Sequence, residues 1–158
     1  MLTKDLTDHC TLFRGLTTER AAELLETYGY ALRTYPPHSF PAMQGDACRA
    51  LLIVCRGRVN AWMAGEGGKQ IIVEQFAEWD VLAPAFLMAT RNVYPVSVET
   101  TTDCELLVIH RETLLRMLHA DMRMMENYLR EISDKCFALT QRIGSFALKS
   151  LREQLLTY

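Results

Sequence analysis

The side chains best able to hold a metal ion are four histidines and five cysteines, and neither set is spaced for the task. His9, His38, His110 and His119 include no two within eight residues of each other. A metal-dependent β-roll enzyme of the cupin type needs a His-x-His pair and a later histidine. Cys10, Cys48, Cys55, Cys104 and Cys136 form no C-x-x-C pair and are odd in number, whereas zinc and iron–sulfur sites draw ligands from short spacings. They read as small hydrophobes of a reducing compartment. No Ser-His-Asp grouping has a recognisable spacing. The pattern therefore predicts neither a catalytic nor a structural metal centre, and no enzyme.

The chain has 158 residues, 49% hydrophobic and 23% charged, with a formal net charge of −2. That length suits one domain plus a short appendage, and so apolar a chain is not disordered. No apolar run approaches the roughly 20 residues that span a bilayer, so no membrane partner is expected. The N-terminus carries no basic region followed by an apolar stretch, which makes a cytoplasmic location the expectation. Near-neutral charge argues against nucleic-acid binding by these residues alone, because phosphate neutralisation needs an excess of Lys and Arg.

Three segments separate by period. Residues 1–29 read helical: Thr17 or Thr18 can cap a helix carrying Ala21, Leu24, Leu25 and Tyr28, and Gly29 stops it. Residues 30–110 read as short strands, at Tyr30–Tyr35, Leu51–Cys55, Arg58–Met63, Lys69–Phe76, Val96–Thr100 and Glu105–Ile109. Turn signals separate them, which predicts an antiparallel barrel or sandwich. In Arg58–Met63 the alternation places Val59, Ala61 and Met63 on one face.

The third segment, 111–158, contains no proline and one glycine. Met122, Met125, Leu129, Ile132, Cys136, Leu139, Ile143 and Phe146 recur at intervals of 3, 4, 3, 4, 3, 4 and 3. This is a heptad seam about 37 Å long. A single helix beside a compact barrel cannot cover it internally, so a parallel homodimer is expected. Gly144 is expected to interrupt the helix. Beyond it Leu148, Leu151, Leu155 and Leu156 begin another apolar pattern with nothing left to pack against, which suggests that the natural chain continues. The division is a sensor β-roll with N-terminal helices at 1–119, a dimerisation helix at 120–146, and at 147–158 the start of a further domain.

Helix, glycine-punctuated roll and long helix, in that order, resemble the sensor half of CRP/FNR-type bacterial transcription regulators. Leu12-Phe13-Arg14-Gly15-Leu16-Thr17 is similar to the family's entry into its first helix. Gly45-Asp46 resembles the "EGD" turn, and Arg56-Gly57-Arg58-Val59 the "xGxV" hairpin. Gly68-Lys69, Asp80-Val81 and Cys104-Glu105-Leu106-Leu107-Val108-Ile109 fall where members carry similar blocks. The resemblance covers about residues 10–158. It implies an α+β fold: an antiparallel jelly roll like that of cyclic-nucleotide-binding domains, flanked by N-terminal helices and a long C-terminal dimerisation helix. It also implies a helix-turn-helix module beyond Lys149, binding promoter DNA. Gly144, Ser145, Ala147 and Lys149 would form the hinge to that module.

Members of the family that bind cAMP use a Gly-Glu pair at a short helix, an Arg-Ser or Arg-Thr pair, and a threonine on the long helix. Here those positions fall on Ala83-Pro84, Tyr94-Pro95 and Leu139. Pro84 can neither accept the ribose bond nor donate an N–H, and Tyr94 supplies no charge. A cyclic phosphate buried beside them would cost several kcal/mol, so no binding of cAMP or cGMP is expected. The resemblance instead implies an apolar effector pocket from Met63, Leu82, Ala83, Pro84, Phe86, Met88, Tyr94, Pro95, Val96, Val98 and Leu139. "Pro-Val-Ser-Val" at 95–98 is similar to the nitric-oxide-responsive DNR and HcpR branches, which are associated with haem-dependent sensing of nitrosative stress. Haem is thus one expectation, with Met63 as a candidate axial ligand or simply a core side chain. A pocket filled by its own side chains, a small redox or gas signal acting elsewhere, and a stand-alone dimeric scaffold are the alternatives. The iron–sulfur branch of the family fits less well, because Cys10 stands alone.

Overall fold

The computed structural model describes residues 1–157. Helix α1 (Leu2–His9) and a 3-10 turn (Thr11–Phe13) lead into α2 (Thr18–Tyr28). The Thr17 side chain caps α2 by accepting from the Arg20 backbone N–H, and Gly29 ends it at a positive φ of 95°. Capping by a threonine oxygen satisfies one of the helix's orphan donors.

The roll follows. Its strands are β1 (Ala31–Tyr35), β2 (Ala50–Arg56), β3 (Val59–Ala64), β4 (Gln70–Phe76), β5 (Val81–Leu82), β6 (Ser97–Thr100) and β7 (Cys104–His110). They pair antiparallel as two sheets, one in the order β1-β7-β2-β5 and one in the order β4-β3-β6. The two-residue strand β5 is not among the strands expected from the sequence. Central strands β2 and β7 are buried almost throughout, as strands covered on both faces must be. The β2–β3 hairpin turns on Gly57 (φ 95°), where an added Cβ would lie 2.3 Å from the Asp103 carbonyl oxygen. Only glycine fits both that φ and that approach.

Between β5 and β6 sits the short helix α3 (Pro84–Leu87). After β7 come α4 (Arg111–Ala120) and α5 (Met122–Thr157). Asp121 separates the last two. Its carboxylate accepts from the Met124 backbone N–H and, at 2.9 Å, from Arg20 Nε, which fixes where α5 starts. Among the described residues no helix is long and apolar enough to cross a membrane.

Helix α5 corrects the sequence reading at its far end. It runs for 36 residues without a break, so Gly144 does not interrupt it. Ser145, Ala147 and Lys149 are helical too, and no element boundary falls between 146 and 147. A glycine in a helix interior costs only about 1 kcal/mol, keeps its N–H, and here is flanked by Ile143, Phe146, Ala147 and Leu148. Tyr158, the end of the third expected segment, lies outside the described residues.

Candidate functional site

Helix α5 presents two faces. One packs on its own domain through Met124, Asn127 and Tyr128, all buried. The Asn127 amide nitrogen donates to the carbonyl oxygens of Leu12 (2.9 Å) and Arg14 (2.8 Å). These bonds tie the helix to the 3-10 turn, and an unpaired amide at that depth would be costly. The other face is the heptad stripe. Met125 and Ile132 pack partly against the core. Met122, Leu129, Leu139, Ile143 and Phe146 are each more than half exposed, and Cys136 is exposed as well. Five large apolar side chains on one exposed line of helix form a surface of the kind that marks an interaction site.

Beside the inward face lies a cavity of about 330 Å³, near the lower end of the roughly 300–1,000 Å³ range of ligand pockets. Sheet residues Met63, Val73 and Phe76, the α3 region from Leu82 to Phe86, and Pro95, Val96 and Val98 enclose most of it. Helix α5 closes one side with Lys135, Ala138, Leu139 and Arg142. Of the residues named from sequence, Met63, Leu82, Ala83, Pro84, Phe86, Pro95, Val96, Val98 and Leu139 line this space together. Leu139 belongs both to the wall and to the exposed stripe.

Two residues do not. Tyr94 is buried elsewhere: its backbone exchanges hydrogen bonds with the Gly45-Asp46 turn, and its ring sits beside Cys48. That turn holds the residue away from the cavity, and burial pushes its phenol well above the ordinary tyrosine value. Met88 caps the C-terminus of α3 and packs against the core behind it. Sequence reasoning in turn missed Ala61, Val73, Glu74, Phe76, Lys135, Ala138 and Arg142. On α5 the spacing 135, 138, 139, 142 is itself helical, and it marks a face adjoining the heptad stripe.

The wall at α3 has unusual backbone geometry. Ala83 adopts φ 54° and ψ 39°, a left-handed conformation that costs a side-chain-bearing residue roughly 1–2 kcal/mol. Pro84 follows at the first helical position, where its fixed φ suits the turn and its missing N–H is no loss.

The metal-binding side chains stand apart from the cavity. His9 stacks on Trp79, with ring centroids 6.4 Å apart. His38 Nδ1 lies 3.3 Å from Glu99 Oε1, and His110, at the N-cap of α4, and His119, in its last turn, are exposed. Cys10, Cys48, Cys55 and Cys104 are buried, whereas Cys136 is not. Burial pushes the Cys10 thiol up to about 12 and that of Cys55 to about 11, which keeps them protonated and unreactive at neutral pH. Among the described residues no group of three His, Cys, Asp or Glu could hold a metal ion.

Comparison with known proteins places these features in a wider set. The family described as the cyclic nucleotide-binding domain matches residues 32–121. No curated protein matches the chain. Among solved structures, the Thermus thermophilus catabolite activator protein is 21% identical with a TM-score of 0.78, over 87% of this chain and 63% of its own. This chain therefore spans just under two-thirds of that protein. The sensor domain of the transcriptional regulator DNR from Pseudomonas aeruginosa is 22% identical with a TM-score of 0.73, over 90% of this chain and 91% of its own. A transcriptional regulator from Thermotoga maritima is 19% identical with a TM-score of 0.70, over 77% of this chain and 94% of its own.

Proposed function

The chain belongs to the cyclic nucleotide-binding domain family, and from that premise we propose that it is the effector-sensing and dimerising half of a CRP/FNR-type transcription regulator that does not use cAMP. The observation that carries the reading is the double role of Leu139, which lines the cavity and stands in the exposed stripe of α5. Whatever fills the cavity touches the surface on which two copies would pair. Occupancy would then bias how the helices pack and, through them, how promoter-binding modules outside this chain are oriented.

Against cAMP stands the wall itself. A cyclic nucleotide would set its ribose and phosphate against Ala83, Pro84, Pro95 and Val96, whose side chains offer neither a charge nor a hydrogen-bond donor.

An apolar cofactor such as haem suits the same wall. Met63 brings a thioether to it, a soft axial donor that haem iron accepts; none of the four histidines does. A porphyrin is larger than the enclosed space, so part of it would remain at the open side. When bound, haem would supply an iron able to take nitric oxide as signal. The chain's own contribution would be burial of the ring among Leu82, Phe86, Val96 and Leu139, which excludes water and couples the ring to α5.

Haemin titrated into the purified chain should give a sharp Soret shift saturating at one site per chain, altered in position by Met63→Leu. Calorimetry with cAMP should show no heat. A featureless, non-saturating haemin titration would remove haem, and measurable cAMP binding would overturn the wider reading.

A further inference from the structure

The charged side chains around the cavity are Glu74, Lys135 and Arg142, and they are not equivalent. Lys135 is already engaged. Its Nζ lies 3.2 Å from Glu74 Oε1 and 5.2 Å from the centroid of the Phe76 ring. That pair cancels its own charge. Arg142 donates through Nη1 to the Val73 carbonyl oxygen at 3.2 Å, and among the described residues it has no ion pair with a carboxylate. The backbone bond anchors one nitrogen of the guanidinium and leaves its other N–H groups available. Arg142 is exposed, so its charge sits at the mouth of the cavity rather than inside it. Behind it the wall is apolar, made by Met63, Leu82, Phe86, Val96 and Val98.

We propose that the cavity takes an amphipathic carboxylic acid, its apolar body buried against α3 and β3 and its carboxylate held at the mouth by Arg142. This rests on the reading of the cavity as a ligand site and deepens it. The planar fork of arginine matches a carboxylate with two parallel N–H···O bonds. The apolar wall supplies affinity by burial, at ~25 cal/mol per Å², and offers no partner to a second polar group deeper in. One anionic end and an otherwise apolar body is therefore the chemistry selected. A porphyrin with propionate arms and a long-chain fatty acid share it.

Four probes separate the possibilities: haemin, haemin dimethyl ester, dodecanoate and dodecanol. Each is titrated into the chain and its Arg142→Gln and Arg142→Lys variants, followed by calorimetry or Soret absorbance. At least one acid should bind about tenfold more tightly than its neutral partner. Arg142→Gln should abolish that difference while leaving the neutral probe unchanged, and Arg142→Lys should restore part of it. Preference within the haemin pair points to a porphyrin, and preference within the dodecyl pair to a fatty acid; either supports the proposal. Equal binding of acid and neutral partner, or a selectivity untouched by Arg142→Gln, would overturn the arginine anchor while leaving the cavity a ligand site. Failure of all four probes to bind would overturn the ligand-site reading and the proposal with it. Because Arg142 is exposed on a helix, the glutamine variant should keep the far-ultraviolet spectrum of the parent.

Discussion

The Tyr128 hydroxyl donates to the carbonyl oxygen of Pro84, joining the long helix α5 to the first residue of α3. Both partners are buried, and burial pushes the phenol up to about 12, so the proton stays in place for donation throughout the neutral range. The strained Ala83 and the cavity wall are thereby fastened to the same helix that bears the exposed stripe. A change in α3 on ligand entry has a short route to α5.

Tyr128→Phe removes that donor and leaves a buried carbonyl oxygen unpaired. Stability should fall by about 1–3 kcal/mol, measured by urea denaturation. If the bond couples the cavity to the helix, the variant should also lose any ligand-dependent change in dimerisation. Unchanged stability would mean that another donor reaches Pro84.

Leu129→Glu tests the stripe. Leu129 is 55% exposed in the single chain, so the substitution leaves the core intact but would set an unpaired charge in the proposed dimer seam. Sedimentation at micromolar concentration should show monomer with an unchanged far-ultraviolet spectrum. Ile132→Glu should also give monomer, at some cost to folding because Ile132 packs partly on the core. Persistent dimers in both variants would place the interface elsewhere.

Ala83→Gly relieves the left-handed backbone at the start of α3. Removing the Cβ clash should stabilise by about 1 kcal/mol, partly offset by greater freedom of the unfolded chain. Thermal melting should rise or hold. No cAMP heat should appear, because Pro84, Pro95 and Leu139 are unchanged.

Glu131→Gln concerns pH. Burial raises the Glu131 carboxyl above the usual carboxylate range; Asp134 and Asp80 push the same way, while Lys135 and Arg14 oppose them. The native state thus holds this proton more tightly than the unfolded chain does. The ionised carboxylate costs stability that is fully felt at neutral pH and fades as pH falls to the ordinary carboxylate value. Glutamine should therefore stabilise at pH 7, with the gain vanishing near pH 4. A gain that grew on acidification would contradict this sign.

What could be read from the residues followed the strength of local signals. The Thr17 cap, the Gly29 stop and six of the seven strands announce themselves through turn chemistry and alternation, so each lies within a residue or two of its expected place. The apolar wall at 82–86, 95, 96 and 98 was legible because residues this near in sequence, in two short runs, stay near in space. Arg142 and Lys135 were not legible, because a charged residue on a helix looks the same in sequence whether it faces water or the mouth of a cavity. Tyr94 misled for a related reason. Its neighbour Pro95 lines the space, but hydrogen bonds to the Gly45-Asp46 turn carry Tyr94 the other way. At Gly144 a small local penalty was read as a break, and one residue's propensity does not outweigh a long run of good helix formers.

The unbroken course of α5 makes it a lever with its load far from its fulcrum. From Leu139 at the cavity to Thr157 the helix extends about 27 Å at ~1.5 Å per residue. With the helix continuous through Gly144, a tilt of about 10° at Leu139 would sweep the far end through roughly 5 Å over that length if the helix moves as one piece. That is about one helical turn, enough to change the register of anything the far end carries. A joint would have absorbed the tilt as local bending. An unbroken helix moving as one piece would turn a small rearrangement of side chains at the wall into a displacement of several ångströms at its far end.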